Sequence, residues 1–156
     1  ISAAPAFETD SLIGAALGVP LSKQLAVSGG TGSLTWVTTD NGLQGTDLQL
    51  SATGELHGIP GVIGQVVFGV KVTDQIGVEI NRTFDLWISG GCGDIDISLT
   101  GPNVADLSAL IDFLFRGRSG ISPWAADVNG SGSVNVSDVA YLVAFLFQNG
   151  AGLICT

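Results

Sequence analysis

Asp127-Val-Asn-Gly-Ser-Gly-Ser-Val-Asn-Val-Ser-Asp138 carries oxygen-bearing side chains at positions one, three, five, nine and twelve of a twelve-residue stretch, with Gly132 at position six. Calcium takes six to eight hard oxygen ligands, and a loop of this length wraps one ion by turning alternate residues inward. The spacing predicts side-chain ligation by Asp127, Asn129 and Ser131, a carbonyl from Ser133, a carboxylate from Asp138, and Asn135 acting directly or through water. Gly132 supplies a sharp turn that other residues enter only with strain. Val134, at position eight, is expected to face a core and brace the loop. An ordinary Asn/Gly turn before a helix is the plainer alternative.

The stretch after this loop occurs twice. Asn103-Val-Ala-Asp-Leu-Ser-Ala-Leu-Ile-Asp-Phe-Leu-Phe115 aligns with Asn135-Val-Ser-Asp-Val-Ala-Tyr-Leu-Val-Ala-Phe-Leu-Phe147, sharing seven of thirteen residues, which marks a duplication. Upstream of the first copy, Asp94, Asp96, Ser98 and Asp106 repeat the ligand pattern, with Thr100 as a further candidate. Asp94 and Asp127 lie 33 apart while the helical segments are offset by 32, so the first loop holds one extra residue. Leu99, Thr100 and Gly101 span the turn that Gly132 makes alone. Two non-equivalent calcium sites are expected. Each following helix has an apolar face, Leu107, Leu110, Ile111 and Leu114 in one, and Val139, Leu142, Val143 and Leu146 in the other. Asp106 and Asp138 are candidate helix N-caps. Phe113, Phe115, Phe145 and Phe147 exceed the needs of one helix seam and point to further packing or a partner.

Residues 1–90 read differently. Leu34–Thr39, Leu48–Ser51, Val66–Val72 and Thr83–Ile88 are β-prone runs bounded by Gly, Asn, Asp or Pro clusters, with no helical stretch between them. Val66, Phe68, Val70 and Val72 fall on one face of a strand, the expected core side. Trp36 and Trp87 are expected core aromatics. Asp74, before Gln75-Ile-Gly77, is expected to cap a hairpin turn, with a bound calcium nearby as the alternative. His57, the lone histidine, falls in an expected turn with little prospect of a proton-transfer role. Asn81-Arg-Thr83 matches a glycosylation sequon.

Two resemblances follow from these residues. Leu25-Ala-Val-Ser-Gly-Gly-Thr-Gly-Ser-Leu-Thr-Trp36, Gly54-Glu-Leu-His-Gly-Ile-Pro60, Gly64 and Val70-Lys-Val-Thr-Asp74 resemble the Ig-like repeats of bacterial surface proteins, which are cadherin-like sandwiches. Residues 93–150, as paired half EF-hands ending in Asp with no entering helix before Asp127, resemble the type I dockerin. Together they imply a multidomain chain: an all-β Ig/cadherin-like sandwich over 1–90, then a small all-α dockerin-like pair of calcium loop-helix motifs over 91–156. The dockerin resemblance implies a β-sandwich partner, a cohesin or a neighbouring copy's own sandwich. It also implies partner contacts at loop positions ten and eleven, here Val104, Ala105, Val136 and Ser137. These are more apolar than is usual in the cellulosomal family, which still suits a packed interface.

Charge and cysteine content narrow the function further. Fourteen acidic against five basic side chains, net −9, cannot build the basic face that nucleic acid requires, and disfavours anionic membranes. Cys92 and Cys155 flank the loop-helix region. A disulfide between them, with free thiols as the alternative, closes a loop of about sixty residues and stabilises by roughly 4 kcal/mol through chain entropy. It also implies an oxidising, extracellular setting. No apolar run reaches the ~18 residues of a membrane span, and the chain reads as a mature secreted product. One histidine and no activated nucleophile exclude the usual triads, so no catalysis is expected. The expected role is an extracellular, surface-associated assembly protein with two Ca2+, polymerising head to tail through the sandwich of the next subunit. The alternatives are the cohesin-binding anchor of a secreted polysaccharide-degrading enzyme, and a carbohydrate-binding or adhesion module.

Overall fold

The computed structural model describes residues 3–12 and 14–156. The chain divides into two compact units. One gathers Gly18–Gly61 and Val66–Leu86 with the N-terminal residues up to Leu12; the other takes Trp87–Thr156, Val62–Gln65 and the short segment ending at Leu17.

The first unit is built on β1 (Ala6–Phe7), β3 (Leu21–Gln24), β4 (Val27–Ser28), β5 (Thr35–Thr38), β6 (Leu48–Leu50), β7 (Glu55–Gly58) and most of β8 (Gly64–Thr73) and β9 (Glu79–Ser89); β2 (Ala15–Ala16) belongs to the second unit. The sheet orders are β2-β9-β8-β5, β3-β7-β6 and the pair β1-β4. β8 alternates as its sequence predicts: Val66, Phe68, Val70 and Val72 are at most 5% exposed. Leu48, Leu56, Phe84, Leu86 and Trp36 bury opposing faces of both sheets, which is the sandwich solution to two half-apolar layers. Phe7 meets Trp36 and Phe84 edge-on, and Phe68 stacks on Phe84 at 5.9 Å between centroids.

Two local expectations change. His57 stands within β7, paired with Ser22 and Gln49, because Leu56 between its neighbours anchors the strand in the core. Trp87 is only half-buried, since it lies on the opposite face of β9 from Leu86 and Ile88. Asp74 holds its hairpin as expected: Oδ1 accepts from the amides of Ile76 (3.1 Å) and Val78 (2.8 Å), and Oδ2 from Thr31 (3.0 Å).

In the second unit the duplicated segments form α1 (Val104–Arg116) and α3 (Val136–Phe147), with the short α2 (Pro123–Ala126) between them. The expectation of a separate all-α pair over 91–156 does not hold. The chain is mostly β, its helices have only 13, 4 and 12 residues, and helix makes up 19% of it. The second unit also contains strand pairing, with Ala15 and Ala16 running parallel to Ile88 and Ser89. The physical reason is size. Two three-turn helices cannot close a core between themselves, so Ile95, Ile121, Ala126 and Val128 from outside α1 and α3 join Ala109, Leu110 and Leu142 in it. Among the described residues, no helix is long and apolar enough to cross a membrane.

Candidate metal centre

The two loops are built by the same hydrogen bonds. In the second, Asp127 accepts from the amides of Ser131 (Oδ1, 2.9 Å) and Gly132 (Oδ2, 2.7 Å), and Asn129 Oδ1 also accepts from Ser131 (2.9 Å). In the first, Asp94 accepts from Ser98 (Oδ1, 2.9 Å) and Leu99 (Oδ2, 3.4 Å), and Asp96 Oδ1 from Ser98 (3.1 Å). At the far end, Asp138 accepts from the amides of Asn129 (3.3 Å) and Asn135 (2.9 Å). Asp106 does the same with Asp96 (3.2 Å) and Asn103 (2.9 Å), and adds Ile95 (2.7 Å).

These bonds locate the extra residue. Residues 94–100 match 127–133, and 103–106 match 135–138, so Gly101-Pro102, joined by a cis peptide bond, stands where the second loop has Val134 alone. The glycine positions are matched in backbone as well. Gly130 (φ 67°) and Gly132 (φ 85°) correspond to Ile97 (φ 59°) and Leu99 (φ 64°), which take the left-handed conformation without a glycine. The sequence signal for this was the loss of both glycines under an unchanged Asp-x-Asp-x-Ser spacing.

The helix caps are not the aspartates. Asn103 and Asn135 are the N-caps, accepting from Ala105 (2.7 Å) and Ser137 (2.8 Å), while Asp106 and Asp138 sit at the third helical position and complete capping boxes. Asn135 Oδ1 is therefore engaged with the helix, and its Nδ2 donates to the Ser133 carbonyl (3.3 Å). Asn103 Nδ2 likewise donates to the Thr100 carbonyl.

Carboxylate oxygens of Asp94, Asp96 and Asp106 lie within 4.8 Å of one another. Asp94, Asp106, Asp127 and Asp138 are all buried, and none of the salt bridges among the described residues reaches them. Burial holds the Asp106 carboxyl above its ordinary range; the neighbouring Asp96 charge adds to this, and the amides of Asp96, Asn103 and Ile95 oppose it. Buried carboxylates without a counter-cation are costly. Asp94 Oδ1, Asp96 Oδ1 and Asp106 Oδ2 in the first loop, and Asp127 Oδ2, Asn129 Oδ1 and both Asp138 oxygens in the second, each accept a single amide bond and so retain a lone pair. An all-oxygen set of this kind fits a hard divalent cation such as calcium.

Around the loops, the expected partner residues are exposed: Val104 is 60% and Val136 59% exposed, with Ala105 and Ser137 beside them. The sequence reading missed how far this surface extends. Val104, Ser108, Ile111 and Phe115 form one outward stripe at helical spacing, and Val136, Ala140, Val143 and Phe147 form its duplicate. Phe115 is 64% and Phe147 62% exposed, whereas Phe113 and Phe145 pack on the core. Cys92 and Cys155 form a disulfide, Cα–Cα 5.5 Å.

No protein-family model matches the chain, and no curated protein matches it in sequence. Solved structures with a similar fold include a Bacteroides fragilis protein assigned as an α-galactosidase (17% identity, TM-score 0.47) and the extracellular cadherin domains 1–4 of protocadherin gamma B7 (13%, 0.46). The D00-D0 domain of intimin is another (16%, 0.39). The matches cover 55%, 56% and 55% of this chain and 17%, 25% and 46% of the respective neighbours, so the chain spans less than half of each.

Proposed function

We propose that this chain is a non-catalytic, extracellular binding and assembly protein in which two calcium ions, one per loop, order the second unit for docking on a β-sandwich partner. The observation that carries this reading is the duplicated network: two loops of different sequence hold the same amides on aspartates at both ends, and the first clusters three carboxylates that no salt bridge among the described residues reaches. The ligand sets are Asp127, Asn129, Ser131, Ser133 and Asp138, and Asp94, Asp96, Ser98, Thr100 and Asp106. The repeat's resemblance to the type I dockerin supports docking, and the paired outward stripes are the surface for it. A neighbouring copy's sandwich is the partner we favour, which gives a head-to-tail, heterologous contact able to propagate.

Metal binding to such loops is coupled to folding. Calorimetry of the whole chain should therefore show a transition, assigned to the second unit, that rises with millimolar calcium and falls with chelator. A melting profile indifferent to both refutes the calcium reading.

A further inference from the structure

Ordinary calcium loops are braced by a helix on each side, yet only α2, four residues long, precedes the second loop, and β9 with a short turn precedes the first. The space beside both loops is filled from the end of the chain. The Ile154 amide donates to the Val128 carbonyl (2.8 Å), and Thr156 Oγ1 to the Gly130 carbonyl (3.4 Å), so alternate tail residues pair with positions two and four of the second loop. Gly130 leaves room for this: a Cβ there would stand 2.9 Å from the Ile154 carbonyl oxygen. Upstream, Tyr141 Oη donates to the Gly152 carbonyl (3.1 Å), which ties the tail to α3, and Leu153 packs on the unit's core.

The same tail is bound covalently to the first loop. Cys155 bonds Cys92, two residues before Asp94. The next residue, Gly93, donates its amide to the Ala125 carbonyl (3.0 Å), two residues before Asp127. Entry to the first loop, entry to the second loop and the tail therefore meet at one disulfide.

We propose that residues 152–156 are a strap that positions both cation loops, and that the Cys92–Cys155 disulfide and calcium binding are thermodynamically coupled through it. This rests on the calcium reading above. Reduction takes two electrons, for example from two glutathione thiols that leave as one glutathione disulfide, and yields two protein thiols. It frees the strap, and the loops must then be ordered at the expense of calcium affinity. Coupling of this kind is reciprocal. Whatever factor reduction removes from calcium affinity, calcium must add to the disulfide's resistance to glutathione. The loops would thus be competent in an oxidising, calcium-rich exterior and slack in a reducing, calcium-poor interior.

The test uses the full chain. Calcium is titrated calorimetrically into the oxidised protein and into protein reduced with a phosphine, and the thiol–disulfide equilibrium is measured in glutathione buffers with calcium or with chelator. Reduction should weaken calcium binding by about tenfold or more overall, and saturating calcium should shift the glutathione equilibrium by the product of the factors lost at the two sites. Ile154→Pro keeps the disulfide but deletes the amide that pairs with Val128; it should weaken the second site several-fold and leave the first nearly unchanged. Equal calcium affinity in both redox states, with a glutathione equilibrium indifferent to calcium, overturns the strap while the calcium reading stands. Oxidised protein that binds no calcium overturns both.

Discussion

Ile97 and Leu99 occupy left-handed backbone positions that their counterparts, Gly130 and Gly132, fill without strain. A β-branched residue there is a marked outlier, costing about 1–2 kcal/mol relative to its relaxed backbone. Ile97→Gly and Leu99→Gly should therefore each stabilise the second unit by about 1 kcal/mol once the flexibility of glycine in the unfolded chain is set against the relieved strain. Chemical denaturation in chelator measures this, and destabilisation by both substitutions would show that their side chains matter more than their backbone. Asp74 offers a test of the opposite kind. Burial raises its pKa, but the amides of Val78, Thr31 and Ile76 outweigh burial and hold the carboxyl below its ordinary range. A depressed carboxylate stabilises above its unfolded pKa, and that stability is lost as pH falls through the folded value. Asp74→Ala should lower the melting temperature at neutral pH, with the gap to wild type closing in strong acid. A gap constant across that range would assign the loss to the side chain's packing instead.

At the scale of elements, α1 and α3 each carry two apolar faces. The inner one, including Leu110 and Leu142, makes the core; the outer one runs from Val104 to Phe115 and from Val136 to Phe147. The sequence counted Ile111 with the apolar face of α1, yet Ile111 is 37% exposed. A wide apolar arc cannot say by itself which of its edges is covered. Exposed positions contribute little to stability. Replacing Phe115 and Phe147 together by Ser should change unfolding free energy by less than about 0.5 kcal/mol while abolishing calcium-dependent association. Loss of folding in that double variant would mark the phenylalanines as core.

For the whole molecule, charge bears on the proposed assembly. The second unit carries six aspartates and two arginines, net −4, and two calcium ions bring it to neutral. The first unit, with eight acidic and three basic residues, remains at −5. On the proposed assembly, like-charged copies would repel one another without metal, and two bound calcium ions would let a neutral apolar stripe meet an acidic sandwich. Sedimentation at high protein concentration should show oligomers with calcium and monomers with chelator. Monomers under both conditions would remove the self-assembly arm and leave docking to a different protein.

The sequence by itself determined the spacing of the oxygen-bearing loop residues, the duplication and the alternation of Val66, Phe68, Val70 and Val72, because each is a local or periodic pattern fixed by chain geometry. The tertiary structure decided the rest. Asn103 and Asn135, not the aspartates, became the caps, because the helices begin one turn before Asp106 and Asp138 commit their oxygens to loop amides. The first loop kept the form of the second, because Gly101-Pro102 absorbed the extra residue and Ile97 and Leu99 accepted glycine backbone. The expected all-α pair gave way to a unit completed by loops, a strand and the C-terminal tail. Short helices set no boundary of their own: what closes a small core is whichever apolar segment can reach it, and spacing along the chain does not record that.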